Sequence, residues 1–343
     1  MRKIVIHSAG GYDRLKLETH ADPQPRENEV RIAVRHIGVN YADVVIRMGL
    51  YESAKKLVGW PITPGFEVAG TIDALGAGVK DLKVGDAVLA LTLFNGYSTS
   101  LCVPRVQVFP VPQGLDTAQA AGVPTVFLTA WFALHELAHV RRNEQVLIHS
   151  AAGGVGTAAV QLAAHAGARV TGVVGGTHKK KLPKELGAHH VIDKSSDDLW
   201  RAAEEISPDG FHVILDANGV STLGDSYEHL APLGRLVVYG FHSMMPKTGG
   251  RPNYLKLASD YLRTPRFNPL QLTTDNKSVL AFNLSFVSQR ADLLVPAMTQ
   301  ILRGFEEGWL KAPPVRRYPL AEVARAHADL ESATTVGKLV LET

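Results

Sequence analysis

The chain of 343 residues has one cysteine, Cys102, so no intrachain disulfide can brace it and no four-cysteine zinc lobe can form. It also lacks an excess of charge: 36 Lys and Arg stand against 33 Asp and Glu, a net charge of +3. That balance argues against a general nucleic-acid or anionic-membrane binder. No apolar run reaches the length that spans a bilayer, so no integral membrane segment is expected. The first residues, Met1-Arg2-Lys3-Ile4-Val5-Ile6, read as a strand and lack the apolar centre and cleavage site of a secretory signal. A reducing, cytoplasmic location is the expectation. Internal repeats and low-complexity tracts are missing as well. What is present is 45% hydrophobic residues, over a length that supports two separate cores.

Against that background residues 146–163 stand out. Residues 146–149 form a short apolar run of the kind that becomes a buried parallel strand. A turn of small residues follows, and then Val155, Ala159, Leu162 and Ala163 recur at helical spacing. Strand, glycine turn and helix in that order open a dinucleotide-binding unit. The turn reads Ala151-x-Gly153-x-x-Gly156, with Ala in place of the first glycine. Gly153 lets backbone approach a pyrophosphate, and Gly156 lets helix and strand pack closely. The helix start offers unpaired N–H groups and the positive end of a dipole. Spacing alone also fits an ordinary glycine-rich turn. The residues that follow raise the cofactor reading. Predicted strands at 168–174, at 211–216, at 235–240 and one closing at Ile192 alternate with helical segments, the pattern of a doubly wound parallel sheet in an α/β protein.

Residues 1–124 read as mostly β, with alternation at 30–37 and further strands at 68–72 and 87–91. Frequent turns, such as Thr63-Pro64-Gly65 and Val84-Gly85-Asp86, give the pattern of a small barrel. A helical segment is predicted at 117–136, with Asp116 as its N-cap and Pro124 kinking or splitting it. Residues 242–277 are poorly periodic and rich in Pro, Gly and Asn, with one predicted helix at 254–263. A substrate lid and a mobile surface loop are both open readings of that segment. Residues 290–308 read as a helix, and Val340 and Leu341 close a last strand. The expected division is a catalytic β domain at 1–124, a dinucleotide domain at 125–267 and a return to the catalytic domain at 268–343.

Several short pieces together carry a resemblance. They are Gly38-Val39-Asn40-Tyr41-Ala42-Asp43, Arg47-Met48-Gly49-Leu50-Tyr51, Thr63-Pro64-Gly65-Phe66-Glu67-Val68-Ala69-Gly70 and Val84-Gly85-Asp86. The Ala151–Gly156 turn, Gln161-Leu162, Gly187-Ala188, Phe282-Asn283-Leu284 and Gly337-Lys338 continue the set. Over nearly its whole length the chain resembles the zinc-independent quinone oxidoreductases of the medium-chain dehydrogenase/reductase superfamily, and within them the vesicle amine transport protein-like branch. The resemblance implies a GroES-like catalytic domain split around a Rossmann domain, and a homodimer through the edge of the dinucleotide sheet. Zinc-dependent members carry a cysteine near the position of Asn40 and a histidine at that of Phe66; neither is present here, so no metal site is expected. His135 and His139 are four apart on a predicted helix but have no evident third ligand.

No acid closes the second strand of the dinucleotide unit, where an NAD-preferring site would bind ribose hydroxyls. The segment reads Val174-Gly175-Gly176-Thr177-His178-Lys179-Lys180-Lys181 instead. A 2′-phosphate needs cations and hydroxyls. In the family a lysine aligned with Lys179 contacts that phosphate, and Lys194 stands where relatives often have a phosphate-contacting tyrosine. A solvated basic helix start is the alternative, but it opposes the helix dipole. NADPH is therefore the expected cofactor. By resemblance Asn40 and Thr129 seat the nicotinamide, Gly240, Phe282 and Leu284 line it, and Tyr51 lies by the acceptor pocket, either as a hydrogen-bond donor or as a packed aromatic. The residues expected around the cofactor also include Ala152, Gly153, Gly154, Val155, Gly156, Gly175, Thr177, Asn218 and Phe241. Asn40 and Tyr51 are the candidate catalytic residues. No general acid is evident. Without a Lewis acid the acceptor must already be electron-poor, so a quinone or a conjugated carbonyl is expected. The alternatives are an enone or 2-alkenal reductase, or a low-turnover NADPH-binding protein that acts through a partner or a membrane surface.

Overall fold

A computed structural model describes all 343 residues. The first part of the chain supplies β1 (Arg2–Val5), β2 (Lys16–Thr19), β3 (Glu29–Val39), β4 (Glu67–Leu75), β5 (Ala87–Leu91), β6 (Ser100–Pro104) and β7 (Val108–Pro110). The middle supplies β8 (Gln145–Ile148), β9 (Arg169–Val174), β10 (His190–Asp193), β11 (Phe211–Asp216), β12 (Leu230–Val238) and β13 (Ser278–Ala281). The end supplies β14 (Val315–Pro319) and β15 (Lys338–Glu342). Alternation in β3, with Val30, Ile32 and Val34 buried, turns one face into the barrel core. The barrel sheet runs β14-β15-β3-β4-β5-β7, with β6 pairing the first half of β3 and β15 its second half. Strand β15 pairs antiparallel with β3, so the last strand of the chain returns to the first domain.

The middle strands form one parallel sheet in the order β10-β9-β8-β11-β12-β13. The order reverses between β8 and β11, and a doubly wound sheet binds its ligand at that reversal, outside the carboxyl ends of the strands. Buried on both faces, β8 and β11 are apolar throughout except for Gln145, His212 and Asp216.

The predicted helix at 117–136 is divided. Asp116 caps a short helix, Thr117–Ala120, by accepting from the Gln119 N–H. Pro124 then opens a second helix, Pro124–Trp131, at a position where no intrahelical N–H is needed, and a π-helical turn, Phe132–Leu137, ends it. The fifth dinucleotide strand starts earlier than expected, at Leu230, because a bulge around Leu233 (φ +62°) joins two pairing segments. The sheet also runs past residue 267. Helix Pro269–Asp275 leads into β13, which pairs in parallel with β12. Helix Ala291–Glu306 lays Leu294, Met298, Ile301 and Phe305 into the core that holds Phe127 of the Pro124–Trp131 helix. No helix is long and apolar enough to cross a membrane.

Candidate active site

The glycine turn sits at the carboxyl end of β8. Its helix spans Gly154–His165, with Gly153 as N-cap and no side chain capping it. The first amides, those of Gly154, Val155 and Gly156, therefore have no intrahelical acceptor. The two motif glycines differ in reason. A Cβ on Gly156 would lie 2.2 Å from the Ser150 carbonyl oxygen and 2.7 Å from the Ala151 Cα, so packing alone demands glycine there. A Cβ on Gly153 would meet only the Ser150 oxygen, at 3.3 Å. The space in front of Gly153 is open to a ligand. At the reversal point the Nδ2 of Asn218 is buried without a partner, while its Oδ1 accepts from Ser150 Oγ at 3.3 Å. An open glycine face, unpaired helix amides and an orphaned amide donor fit a dinucleotide phosphate and base.

Beyond β9, Thr177 Oγ1 donates to Asp193 at 2.8 Å. Lys179 is buried, and its Nζ donates to the carbonyl oxygen of Ala333 at 2.6 Å. Burial pushes the Lys179 ammonium below its usual range, and the charge of Lys194, which stands exposed nearby, adds to this. No carboxylate pairs with Lys179. A Cβ on Gly175 would touch only Lys194 Cε, at 3.7 Å. Phe241 is exposed, and a Cβ on Gly240 would lie 2.9 Å from the Ala217 oxygen, so Gly240 is set by the crossing of β11 and β12 ends.

Asn40, the residue expected to seat the nicotinamide, lies where the barrel meets the dinucleotide domain. Asn40 follows β3 and is the N-cap of the helix Tyr41–Arg47, with Asp43 Oδ2 accepting from the Asn40 N–H at 2.8 Å. Asn40 Nδ2 donates to Glu67 Oε1 at 2.8 Å. Lys338 Nζ donates to Asn40 Oδ1 and to Glu67 Oε1, both at 2.6 Å. Glu67 Oε2 accepts from the Thr125 N–H at 2.7 Å, and Thr125 Oγ1 is buried with no partner. The side chains of Lys338 and Glu67 are 3% and 0% exposed, so this ion pair is sealed in the domain interface. Neither residue was expected from the sequence. The only signal is that each stands inside a quoted motif, Gly65-Phe66-Glu67 and Gly337-Lys338.

The hydroxyls of Tyr51 and Thr129 both have protein partners. The Tyr51 hydroxyl donates to Asn283 Oδ1 at 3.0 Å and meets Ser285 Oγ at 2.8 Å. These bonds tie Tyr51 to the loop that carries Phe282 and Leu284. Thr129 Oγ1 likewise donates to the Thr125 carbonyl oxygen at 2.7 Å. Phe282 stacks on Phe132, with centroids 6.3 Å apart. An apolar cavity of about 240 Å³, lined by Leu91, Phe109, Leu128, Leu294 and Met298, starts one residue from Thr129 but contains none of the expected site residues.

Behind Asn40 lies a directed chain that sequence reasoning missed. Arg47 can only donate, so His327 Nδ1 accepts from it (3.2 Å) and the ring proton sits on Nε2. That N–H faces the Tyr97 oxygen at 3.1 Å, and Tyr97 donates to Asp43 Oδ2 at 3.0 Å. Arg47 also pairs with buried Glu331 at 2.7 Å and donates to the Gly250 carbonyl oxygen at 2.8 Å. The segment after residue 242 is thus pinned to the barrel, and the predicted helix at Tyr254–Arg263 forms within it. Trp131 packs on His135, and no three His, Cys, Asp or Glu side chains converge anywhere in the chain.

A parallel sheet with a glycine turn at its reversal point, closed by a barrel that supplies the last strand, defines the two-domain nucleotide-dependent oxidoreductases. The chain belongs to the medium-chain dehydrogenase/reductase superfamily, among its zinc-independent quinone oxidoreductases. Residues 26–113 match the alcohol dehydrogenase GroES-like domain, and residues 154–291 match the zinc-binding dehydrogenase family. The human synaptic vesicle membrane protein VAT-1 homolog is 32% identical over 343 residues, covering 99% of this chain and 86% of that protein. The Escherichia coli quinone oxidoreductase complexed with NADPH superposes with a TM-score of 0.86 at 28% identity, over 100% of both chains. The CurK enoyl reductase gives the same TM-score and identity, over 99% of this chain and 98% of that one.

Proposed function

We propose that the protein is an NADPH-dependent reductase of quinones or related conjugated carbonyls, working as a homodimer. The observation that carries the cofactor reading is Lys179: a buried ammonium, beside a second lysine, whose acceptor is a neutral carbonyl. A 2′-phosphate supplies the anion that this arrangement lacks. The E. coli neighbour solved with NADPH supports the same reading. Bound NADPH supplies the hydride. The chain's own residues orient and exclude water: the helix amides at 154–156 hold phosphate, the Tyr51-braced loop places Phe282 and Leu284, and Phe66 packs against Tyr51 and Phe94 where zinc-dependent members have a ligand. The unpaired edge of β13 is the surface offered to a second copy.

A second reading, an NADPH-binding protein of low turnover that works through a partner or membrane surface, is favoured by one feature. Helix Tyr254–Arg263 leaves Tyr254, Leu255, Tyr261 and Leu262 between 69% and 86% exposed, and apolar patches of this kind mark contact surfaces.

The deciding experiment is NADPH oxidation against a panel of ortho- and para-quinones, 2-alkenals and simple alcohols. Quinone- or enone-dependent oxidation is expected, with no turnover of ethanol. A folded, NADPH-saturated protein that reduces no member of the panel supports the second reading, and rapid ethanol oxidation overturns the electronic argument.

A further inference from the structure

The Lys338–Glu67 pair has no role in the reading above, yet it is the most deeply sealed charge pair at the nicotinamide end. Its geometry is a closed ring. Lys338 donates to Asn40 Oδ1, Lys338 donates to Glu67 Oε1, and Asn40 Nδ2 donates to the same Glu67 oxygen. This fixes which way the Asn40 amide faces. Its oxygen must lie toward the ammonium, which cannot accept, and its nitrogen toward the carboxylate, which cannot donate. One Nδ2–H then satisfies Glu67 and the other has no protein acceptor. A cation on the amide oxygen draws electron density from the amide, so the remaining N–H is a stronger donor than that of an ordinary asparagine.

We propose that Lys338 and Glu67 are positioning residues that make Asn40 a fixed, charge-reinforced donor for the oxygen that becomes negative when the acceptor is reduced. The proposal rests on the reductase reading and names what the site stabilises. In that step the nicotinamide gives up a hydride and is oxidised. With an enone a C–H bond forms at the β-carbon and the displaced π pair moves to the carbonyl oxygen as an enolate. With a quinone the hydride forms an O–H bond at one carbonyl oxygen, and the displaced pair aromatises the ring and leaves the other oxygen negative as the hydroquinone monoanion. The proton that completes the product comes from water. Lys338 transfers no proton. Its ammonium stays shared between Asn40 and Glu67. The ring is fixed before the acceptor arrives, so no reorganisation is needed when the charge develops. A Cβ on Gly38 would lie 2.4 Å from both the Ala121 carbonyl oxygen and Glu67 Oε1, so backbone and carboxylate together require glycine there.

The test uses Lys338→Met, Lys338→Arg and the double variant Lys338→Met with Glu67→Gln, each checked for folding by NADPH affinity. Two measurements are made. The first is kcat and KM with a quinone and with a 2-alkenal. Lys338→Met should lower kcat about 100-fold, as loss of one oxyanion donor does, with KM and the NADPH Kd within about threefold. Lys338→Arg should restore most of it. The 2-alkenal should suffer more than the quinone, since its enolate is the less stable anion. The second measurement needs no turnover: 4-nitrophenol is titrated into the oxidised-cofactor complex, and its ionisation is read from its absorbance. The bound phenol should ionise at lower pH in the unaltered protein than in Lys338→Met. An unchanged phenol pKa, or an unchanged kcat in Lys338→Met, overturns the proposal. The double variant covers the case in which the single one fails to fold, and should show the same phenol shift. Absence of all turnover in the unaltered protein would count against the reductase reading alone, because the phenol titration still reports on the donor.

Discussion

At the scale of single residues, the buried Asp43 is where charge and fold collide. It accepts from the Asn40 and Gly65 amides and from Tyr97, and is 0% exposed. Burial pushes its carboxyl up to about 7, against the pull of those donated hydrogen bonds. Between pH about 4 and 7 the folded state therefore holds a proton that the unfolded chain has released, and stability falls as pH rises through that window. The full effect is ~4 kcal/mol at most. His327 works in the opposite sense. Burial and then Arg47 hold it well below the usual imidazole range, so its contribution rises with pH up to the unfolded value. The Asp43 contribution is thus read as a difference: urea unfolding from pH 4 to 8 should show a falling component that Asp43→Asn lacks. Parallel pH profiles for the two proteins would contradict this. None of this network is legible in the sequence. Arg47 and Glu331 are 284 positions apart, and His327 and Tyr97 are 230 apart, so neither spacing nor periodicity relates them. Asp43 itself is visible in the sequence only as the last residue of the Gly38–Asp43 motif.

At the scale of elements, what could be read was what local rules dictate. The Asp116 cap, the break at Pro124, the helix at Tyr254–Arg263 and the strand–glycine–helix unit at 145–165 each depend on residues within a few positions of one another. Strand β13 escaped notice because it is four residues long and follows a polar stretch, so it has neither the length nor the alternation that announces a strand. The two motif glycines give an element-scale prediction. Gly156→Ala drives a methyl into the β8 turn and should cost several kcal/mol or prevent the dinucleotide domain from folding. Gly153, with φ −84° and ψ 176°, has backbone angles any residue adopts, and its Cβ direction is nearly clear. Gly153→Ala should keep its melting temperature within a few degrees yet lose NADPH affinity by tenfold or more, because the methyl occupies the path of the pyrophosphate. Differential scanning calorimetry and a fluorescence titration separate the two. Equal loss of stability in both would refute the division of roles.

At the scale of the whole molecule, the barrel's return segment holds the cofactor domain at several points. Gly337 N–H donates to the Ala152 carbonyl oxygen beside the phosphate turn, the Ala333 carbonyl oxygen takes the Lys179 ammonium, and His178 Nε2 lies 3.3 Å from the Thr334 carbonyl oxygen. Ala333 itself sits at φ +55°. On the proposed reading the selectivity site is an interdomain contact, and cofactor choice is a competition between a neutral carbonyl and a phosphate for one buried ammonium. A charge-assisted bond to phosphate is stronger than one to a neutral oxygen, so NADPH should bind more tightly than NADH by ~1–3 kcal/mol. Lys179→Ala should remove most of that difference while NADH affinity stays within about threefold, since NADH leaves the Ala333 contact undisturbed. Lys181, an exposed lysine paired with Glu185, is the matched control: Lys181→Ala should leave the preference intact. Raising salt should narrow the gap less than for a surface site, because the buried Lys179 is poorly screened. Isothermal titration of both cofactors into the three proteins decides the matter. Equal affinities in the unaltered protein, or an undiminished preference in Lys179→Ala, would place the selectivity elsewhere.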